Sequence, residues 1–187
     1  SAIDLSQEWF LKKNSTIGTS SARRKSQILK YIPESKIKAL RGNVPTRIQK
    51  LKDGAYDAII IAKAGVDRLN VNLSEFKEVL LDPKKFVPAP AQGVLAVQIR
   101  NENQEINSLL DKINVKGVQK RVELERKVLS LLKGGCQLPL GVYCDEMNNL
   151  FVSYASDKEE KCIQLKYTIK TFEGIAEKIV SELKNNS

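Results

Sequence analysis

Histidine is absent from all 187 residues. That excludes Ser-His-Asp and Cys-His nucleophile schemes built from this chain alone. It also removes the commonest metal ligand and proton shuttle. Catalysis here would have to use carboxylates, lysines, arginines or a thiol. Cysteine is scarce: Cys136, Cys144 and Cys162 make an odd count with no metal-type spacing, which argues against a disulfide framework and a zinc site. No metal is expected. Long apolar runs are missing too, and nothing approaches the ~20 residues of a membrane span. Ser1-Ala2-Ile3-Asp4 lacks the basic-then-apolar order of a signal peptide. A cytoplasmic location, with no membrane partner, is the expectation.

What is present is basic. Lys and Arg number 31 against 22 Asp and Glu, a net charge of +9, and such an excess favours an anionic partner. Five of the eight arginines (Arg23, Arg24, Arg41, Arg47, Arg68) fall in the first 70 residues, while lysines are spread throughout. Arginine is the better residue for fork-like recognition of carboxylate or phosphate. Hydrophobic content of 42% and charged content of 28% are those of a globular protein. The length suffices for one domain with a good core or two small ones.

The stretch Lys133-Gly134-Gly135-Cys136-Gln137-Leu138-Pro139-Leu140-Gly141 follows a long helical pattern and precedes a strand-rich segment. Two glycines permit positive φ and leave room beside Cys136, and Pro139 prevents simple continuation of the helix. Two readings stand on local sequence. One is a helix cap with an incidental thiol. The other is an open loop presenting a thiol to something large.

Residues 1–14 are polar apart from Trp9-Phe10 and read as a short helix without a preceding strand, as if cut. Residues 16–24 read as a strand, a turn at Gly18 and a helix opening at Thr19-Ser20-Ser21, stopped near Tyr31 by Pro33. A helix start is an anion site through its free N–H groups and positive dipole end. The alternative is an N-cap beside two surface arginines. Residues 36–40 are the next strand, and Arg41-Gly42-Asn43-Val44-Pro45-Thr46-Arg47 again turns into a helix, with Pro45 in its first turn. In an open α/β sheet such turns share one edge, where ligands bind. Residues 57–62 read as an apolar strand buried on both faces, and residues 64–69 bring Arg68 toward the same edge. This order predicts a doubly wound α/β sheet domain with right-handed crossovers. Residues 86–93, with Pro88, Pro90 and Gly93, read as a stiff crossover. A strand over 94–99 and helices over 103–113 and 117–133 follow, with Val118, Val122, Glu125 and Leu129 in one helical row. Strands over 140–144, 150–156 and 162–169 are joined by turns at 147–149 and 157–161. A helix over 172–183 closes a small α+β module with a three-stranded antiparallel sheet.

Six groups occur in order: Gly18-Thr19-Ser20-Ser21 with Arg23-Arg24; Leu40-Arg41-Gly42-Asn43-Val44 with Thr46-Arg47; Tyr56-Asp57-Ala58-Ile59-Ile60; Ala64-Gly65 with Arg68-Leu69; Pro90-Ala91-Gln92-Gly93; and Gly134-Gly135-Cys136-Gln137 with Pro139. Together they resemble the porphobilinogen deaminase (hydroxymethylbilane synthase) family. The resemblance implies a transferase that joins porphobilinogen units head to tail, releasing ammonia, to give hydroxymethylbilane on the route to haem. It implies a dipyrromethane cofactor bound through a thioether to Cys136. It implies that Thr19, Ser21, Arg23, Arg24, Arg41 and Gly42 hold the cofactor, and that Arg47 and Arg68 hold the growing chain. Cys144 and Cys162 read as structural. The implied sheet domain is periplasmic-binding-protein-like.

The resemblance also implies a departure. The family has three domains, and the first, of about a hundred residues, is not matched by this sequence. Residues 1–87 correspond to domain two, 117–187 to domain three, and 88–116 hold a crossover and a strand that belong with domain one. The proton-handling aspartate is expected in that first domain, so no catalytic residue is assigned here and the chain alone is expected to be inactive. The family is usually monomeric. Here the strand near Val94 and Arg100 is expected to pair with another copy, re-pack or sit as an exposed edge. Two other readings compete. An anionic-ligand-binding domain of solute-binding or regulator type would have no use for Gly-Gly-Cys. A nucleic-acid module would lack a recognised motif and a stacking platform, so no nucleic acid is expected as partner.

Overall fold

The computed structural model describes residues 11–100, 102–133, 135, 137–156 and 162–185. The short helix expected over 1–14 falls mostly on residues 1–10, and the turn over 157–161 falls wholly outside the described residues.

The first unit is mixed α/β. Its elements are β1 (Thr16–Gly18), α1 (Ala22–Tyr31), β2 (Lys36–Lys38), α2 (Val44–Lys52), β3 (Ala58–Ile59) and α3 (Lys63–Arg68). The strands form a parallel sheet in the order β2-β1-β3, with Gly18 level with Lys38 on one side and Ile59 on the other. All three carboxyl ends therefore lie on one edge. The helices begin where the sequence sets them. Ser21 caps α1 by accepting from the Arg24 N–H, and Asn43 caps α2 by accepting from the Thr46 N–H, with proline in the first turn of α2. Gly42 makes the second turn possible, with φ +116° and an added Cβ only 2.9 Å from the Thr46 side chain. Ile17, Ile28, Ile32 and Phe86 form the local core.

One expected strand is shorter than read. Residues 57–62 were expected as a strand buried on both faces, yet only Ala58–Ile59 pairs, and residues 58–61 are half-buried. β3 stands at the edge of the three-stranded order and, among the described residues, pairs only with β1. A cavity of about 570 Å³ beside it is lined by Ile60, Leu73, Phe76 and Leu81, among others. The strand over 94–99 is a plain correction: these residues form no strand. They pair with no sheet edge, and Leu95 is 95% and Val97 64% exposed. A β pattern without a partner for its ladder stays irregular. α4 (Gln104–Ile113) follows with Ile106, Leu109 and Ile113 exposed.

The second unit comprises α5 (Lys116–Leu131), β4 (Leu140–Cys144), β5 (Asn149–Tyr154), β6 (Ile163–Thr168) and α6 (Ile175–Asn185). The strands are antiparallel in the order β4-β5-β6. One sheet face packs on both helices, through Leu124, Val128, Val142, Cys144, Val152, Ile179 and Leu183. The β4–β5 turn is centred at Glu146-Met147, one residue earlier than expected. Asp145 holds it by accepting from the N–H groups of Met147 and Asn149.

The crossover is held from both units. The Gln27 amide pairs with both backbone groups of Val87, at 2.7 and 2.9 Å. The Val142 N–H donates to Pro88 O at 3.0 Å. The Tyr31 hydroxyl and the Gln164 amide both donate to Lys85 O at 2.8 Å. β4 approaches so closely that a Cβ on Gly141 would lie 2.6 Å from Val87 O.

Candidate functional site

The edge at the carboxyl ends of β1, β2 and β3 carries the first residues of α1, α2 and α3. A hollow of about 230 Å³ lies there, lined by Thr19, Ser20, Ser21, Ala22, Lys25, Ile37 and Ala39. Thr19 is buried and its Oγ1 accepts from the Ser21 N–H at 3.2 Å. Ser21 Oγ accepts from the Arg24 N–H at 3.4 Å. Each hydroxyl is used here as an acceptor, which leaves its own proton able to donate.

The arginines divide by what they touch. Arg23 is 6% exposed, and its guanidinium donates to Val87 O at 2.7 Å and to Gln92 Oε1 at 3.4 Å. Burial, then the neighbouring Arg24 charge, brings its pKa down to about 10. Arg23 is thus turned into the crossover rather than toward the open edge. Arg24 is half-buried, and its guanidinium donates to Ile60 O at 2.6 Å. Burial lowers its pKa first and the charge of Arg47 lowers it further. Arg47 Nε donates to Gly42 O at 2.7 Å. Arg41 is exposed, and its carbonyl accepts from Lys50 Nζ at 3.1 Å. Arg68 is exposed in the last turn of α3. That is roughly 8 Å along the helix from the edge at 1.5 Å per residue, so the structure does not bring it to the helix starts. Among the described residues no ion pair involves any of these five arginines. Guanidiniums at the helix starts, without an acidic partner among the described residues, suit a ligand bearing several carboxylates.

Gly134 and Cys136 lie outside the described residues, so the expected attachment residue is not placed. Its neighbours are. α5 ends at Leu131, and Lys133 takes the left-handed conformation at φ +51°. Gly135 is exposed, with no atom within 4 Å of an added Cβ. Cys144 and Cys162 are buried free thiols, and burial pushes Cys144 up to about 11. No cluster of metal-type ligands occurs among the described residues.

A family model described as porphobilinogen deaminase, dipyromethane cofactor binding domain, matches residues 4–108. The chain belongs to the porphobilinogen deaminase family. The family's C-terminal domain model matches residues 119–187. A probable porphobilinogen deaminase of Methanocaldococcus jannaschii is 44% identical over 137 residues, 72% of this chain and 46% of that protein. The porphobilinogen deaminase of Oceanobacillus iheyensis is 43% identical over 133 residues, 71% of this chain and 43% of that one. A probable porphobilinogen deaminase of Picrophilus torridus is 41% identical over 150 residues, covering 80% and 51%. The chain spans about half the length of the curated relatives it matches. Dipyrromethane, the porphobilinogen deaminase cofactor, is the group named for the domain that carries the arginines.

Sequence reasoning missed two participants, Gln27 and Glu125, while Ser20 stands in the Thr19-Ser20-Ser21 helix opening already read as an anion site. Ser20 bridges the two turns, donating to Leu40 O at 2.9 Å and accepting from the Leu40 N–H at 3.0 Å. Gln27 lies one helical turn after Arg23, and that i, i+4 spacing could have flagged it. Glu125 was read as one member of an apolar row. A carboxylate in such a row was the available signal that it is buried and bonded.

Proposed function

We propose that this chain is the cofactor-holding and C-terminal part of a hydroxymethylbilane synthase, a transferase of tetrapyrrole and haem biosynthesis that condenses porphobilinogen units and releases ammonia. The observation that carries this is the single sheet edge at which the helix starts bring Arg24, Arg41 and Arg47, none of them in an ion pair among the described residues. Each pyrrole bears two carboxylates, so a polypyrrole chain is a dense polyanion that several guanidiniums can hold in register. Dipyrromethane, when bound, supplies the pyrrole pair on which that chain grows.

In this reading Arg24, Arg41 and Arg47 bind carboxylates at the sheet edge, with Thr19 and Ser21 donating from their hydroxyls. Gly42 admits the close turn, and Arg68 meets a more distant ring. Arg23 acts through the crossover. Cys136 is the thioether anchor. Residues 1–87 form a doubly wound, periplasmic-binding-protein-like unit, 88–116 the crossover and a segment shared with a further domain, and 117–187 the anchor-bearing unit. The proton-handling aspartate belongs to the length not spanned here. The enzyme works as a cytoplasmic monomer, and the exposed segment 94–100 is where this chain alone would self-associate.

Intact-mass measurement of the longer protein tests the anchor. A two-ring adduct is expected, and Cys136→Ser should lose it; an unmodified mass in the longer protein would overturn the reading. This chain alone should consume no porphobilinogen, and full consumption would show that the assignment of chemistry to the absent length is wrong.

A further inference from the structure

Glu125 is a carboxylate on α5 that is only 6% exposed. It makes no ion pair among the described residues. Its two oxygens go to two different places. Oε1 accepts from the Cys144 N–H at 2.8 Å, at the end of β4. Oε2 accepts from the Ala91 N–H at 2.7 Å, in the crossover turn. Burial pushes this carboxyl up, opposed by those two N–H donors and then by Arg121 one turn earlier in α5. An isolated buried carboxylate is costly, and here one is kept where it satisfies two backbone groups of separate segments.

The turn it holds is unusual. Ala91 sits at φ +62°. A left-handed conformation is unfavourable for a residue with a Cβ, and it persists only where the surroundings impose it. The next side chain, Gln92, accepts through Oε1 from Arg23 at 3.4 Å and from the Ala89 N–H at 3.4 Å. A chain of contacts therefore runs from α5 through Glu125, Ala91 and Gln92 to Arg23 at the start of α1. α5 is also the helix that leads directly into the Gly-Gly-Cys loop.

We propose that Glu125 is a positioning residue that holds the crossover turn in its left-handed form, and so fixes the loop-bearing helix α5 relative to the arginine-framed helix starts. Its isosteric amide can accept only one of the two N–H groups and would turn an NH₂ toward the other. The expected consequence is loss of one tether with the fold retained. The consequence for ligand geometry rests on the carboxylate-binding role proposed above; the tether itself does not.

The test uses this chain and needs neither cofactor nor turnover. Amide hydrogen exchange followed by NMR should show the Ala91 and Cys144 N–H groups protected at least a hundred-fold over free peptide. Glu125→Gln should lose at least ten-fold of that protection at Ala91 or Cys144, while Val152 and Leu165 in the sheet keep theirs. Spin labels at Asp53→Cys and Ser130→Cys, in a Cys136→Ser background, should show a narrow distance distribution that broadens in Glu125→Gln. Ala91→Gly, which removes the Cβ penalty, should narrow the distance distribution again in the Glu125→Gln background while leaving the lost amide protection unrestored. An Ala91 amide already exchanging at the free-peptide rate in the unaltered chain overturns the proposal, whether or not the variant folds. So does a Glu125→Gln chain with unchanged protection and distances. Loss of the proposed condensation activity would leave these readouts standing, so the two ideas fail separately.

Discussion

Gly141→Ala tests the packing that unites the two halves of the chain. A Cβ at this position meets Val87 O at 2.6 Å, Val87 Cβ at 3.0 Å and Pro88 O at 3.1 Å. Ordinary contact begins near 3.4 Å, so β4 or the crossover must move by about 0.8 Å. The obstacle is backbone, fixed in turn by the Gln27 amide, and no flexible side chain can swing aside. Overpacking of this kind costs about 1–3 kcal/mol. The shift also stretches the Val142 N–H to Pro88 O bond, 3.0 Å in the intact protein, for a further ~1 kcal/mol. The expected loss is about 2–4 kcal/mol, read as a lower urea midpoint. Gly117→Ala is the control. It lies in α5, where an added Cβ meets only Arg121 Nη1 at 3.6 Å, and should gain about 0.5–1 kcal/mol. A Gly141→Ala protein within about 0.5 kcal/mol of the parent would show that β4 and the crossover are not in rigid contact.

Three further outcomes are expected. Arg24→Gln and Arg47→Gln should each weaken calorimetric binding of an octacarboxylate porphyrin about ten-fold or more, since a charge-assisted hydrogen bond is worth about 1.5–3 kcal/mol; equal loss from Lys112→Gln would reduce the site to general charge. Cys144 and Cys162 should resist an alkylating reagent at pH 8 and react on unfolding, because burial pushes both thiols up; rapid labelling in the folded chain would contradict their placement. Burial alone would raise the Asp145 carboxyl, but donors from Asn149 and from Lys84 outweigh it and hold it below its ordinary value. Its stabilisation is therefore complete above the unfolded value near pH ~4 and is lost as pH falls through the lower folded value. Asp145→Asn should cost about 1–3 kcal/mol at pH 7 and flatten the acid limb of the urea-midpoint profile; an unchanged limb would remove Asp145 as its source.

The sequence by itself determined the local grammar of this chain. Ser21 and Asn43 are caps because their side chains answer their own helix N–H groups, and nothing distant is needed for that. Repeated strand-to-helix turns with flanking arginines were enough to locate the arginine-framed sheet edge, and the six ordered residue groups were enough to name the family. What the tertiary structure decided is how each side chain is spent. Arg23 and Arg24 are adjacent in sequence, yet one is buried against Val87 and Gln92 and the other is half-buried against Ile60 O. Residues 94–99 carry a strand pattern and form none, because a strand exists only with a partner for its ladder. Glu125 sat in an apolar row and proved to be a doubly bonded carboxylate. Its two partners are 34 and 19 residues away, a pairing that only folding brings together.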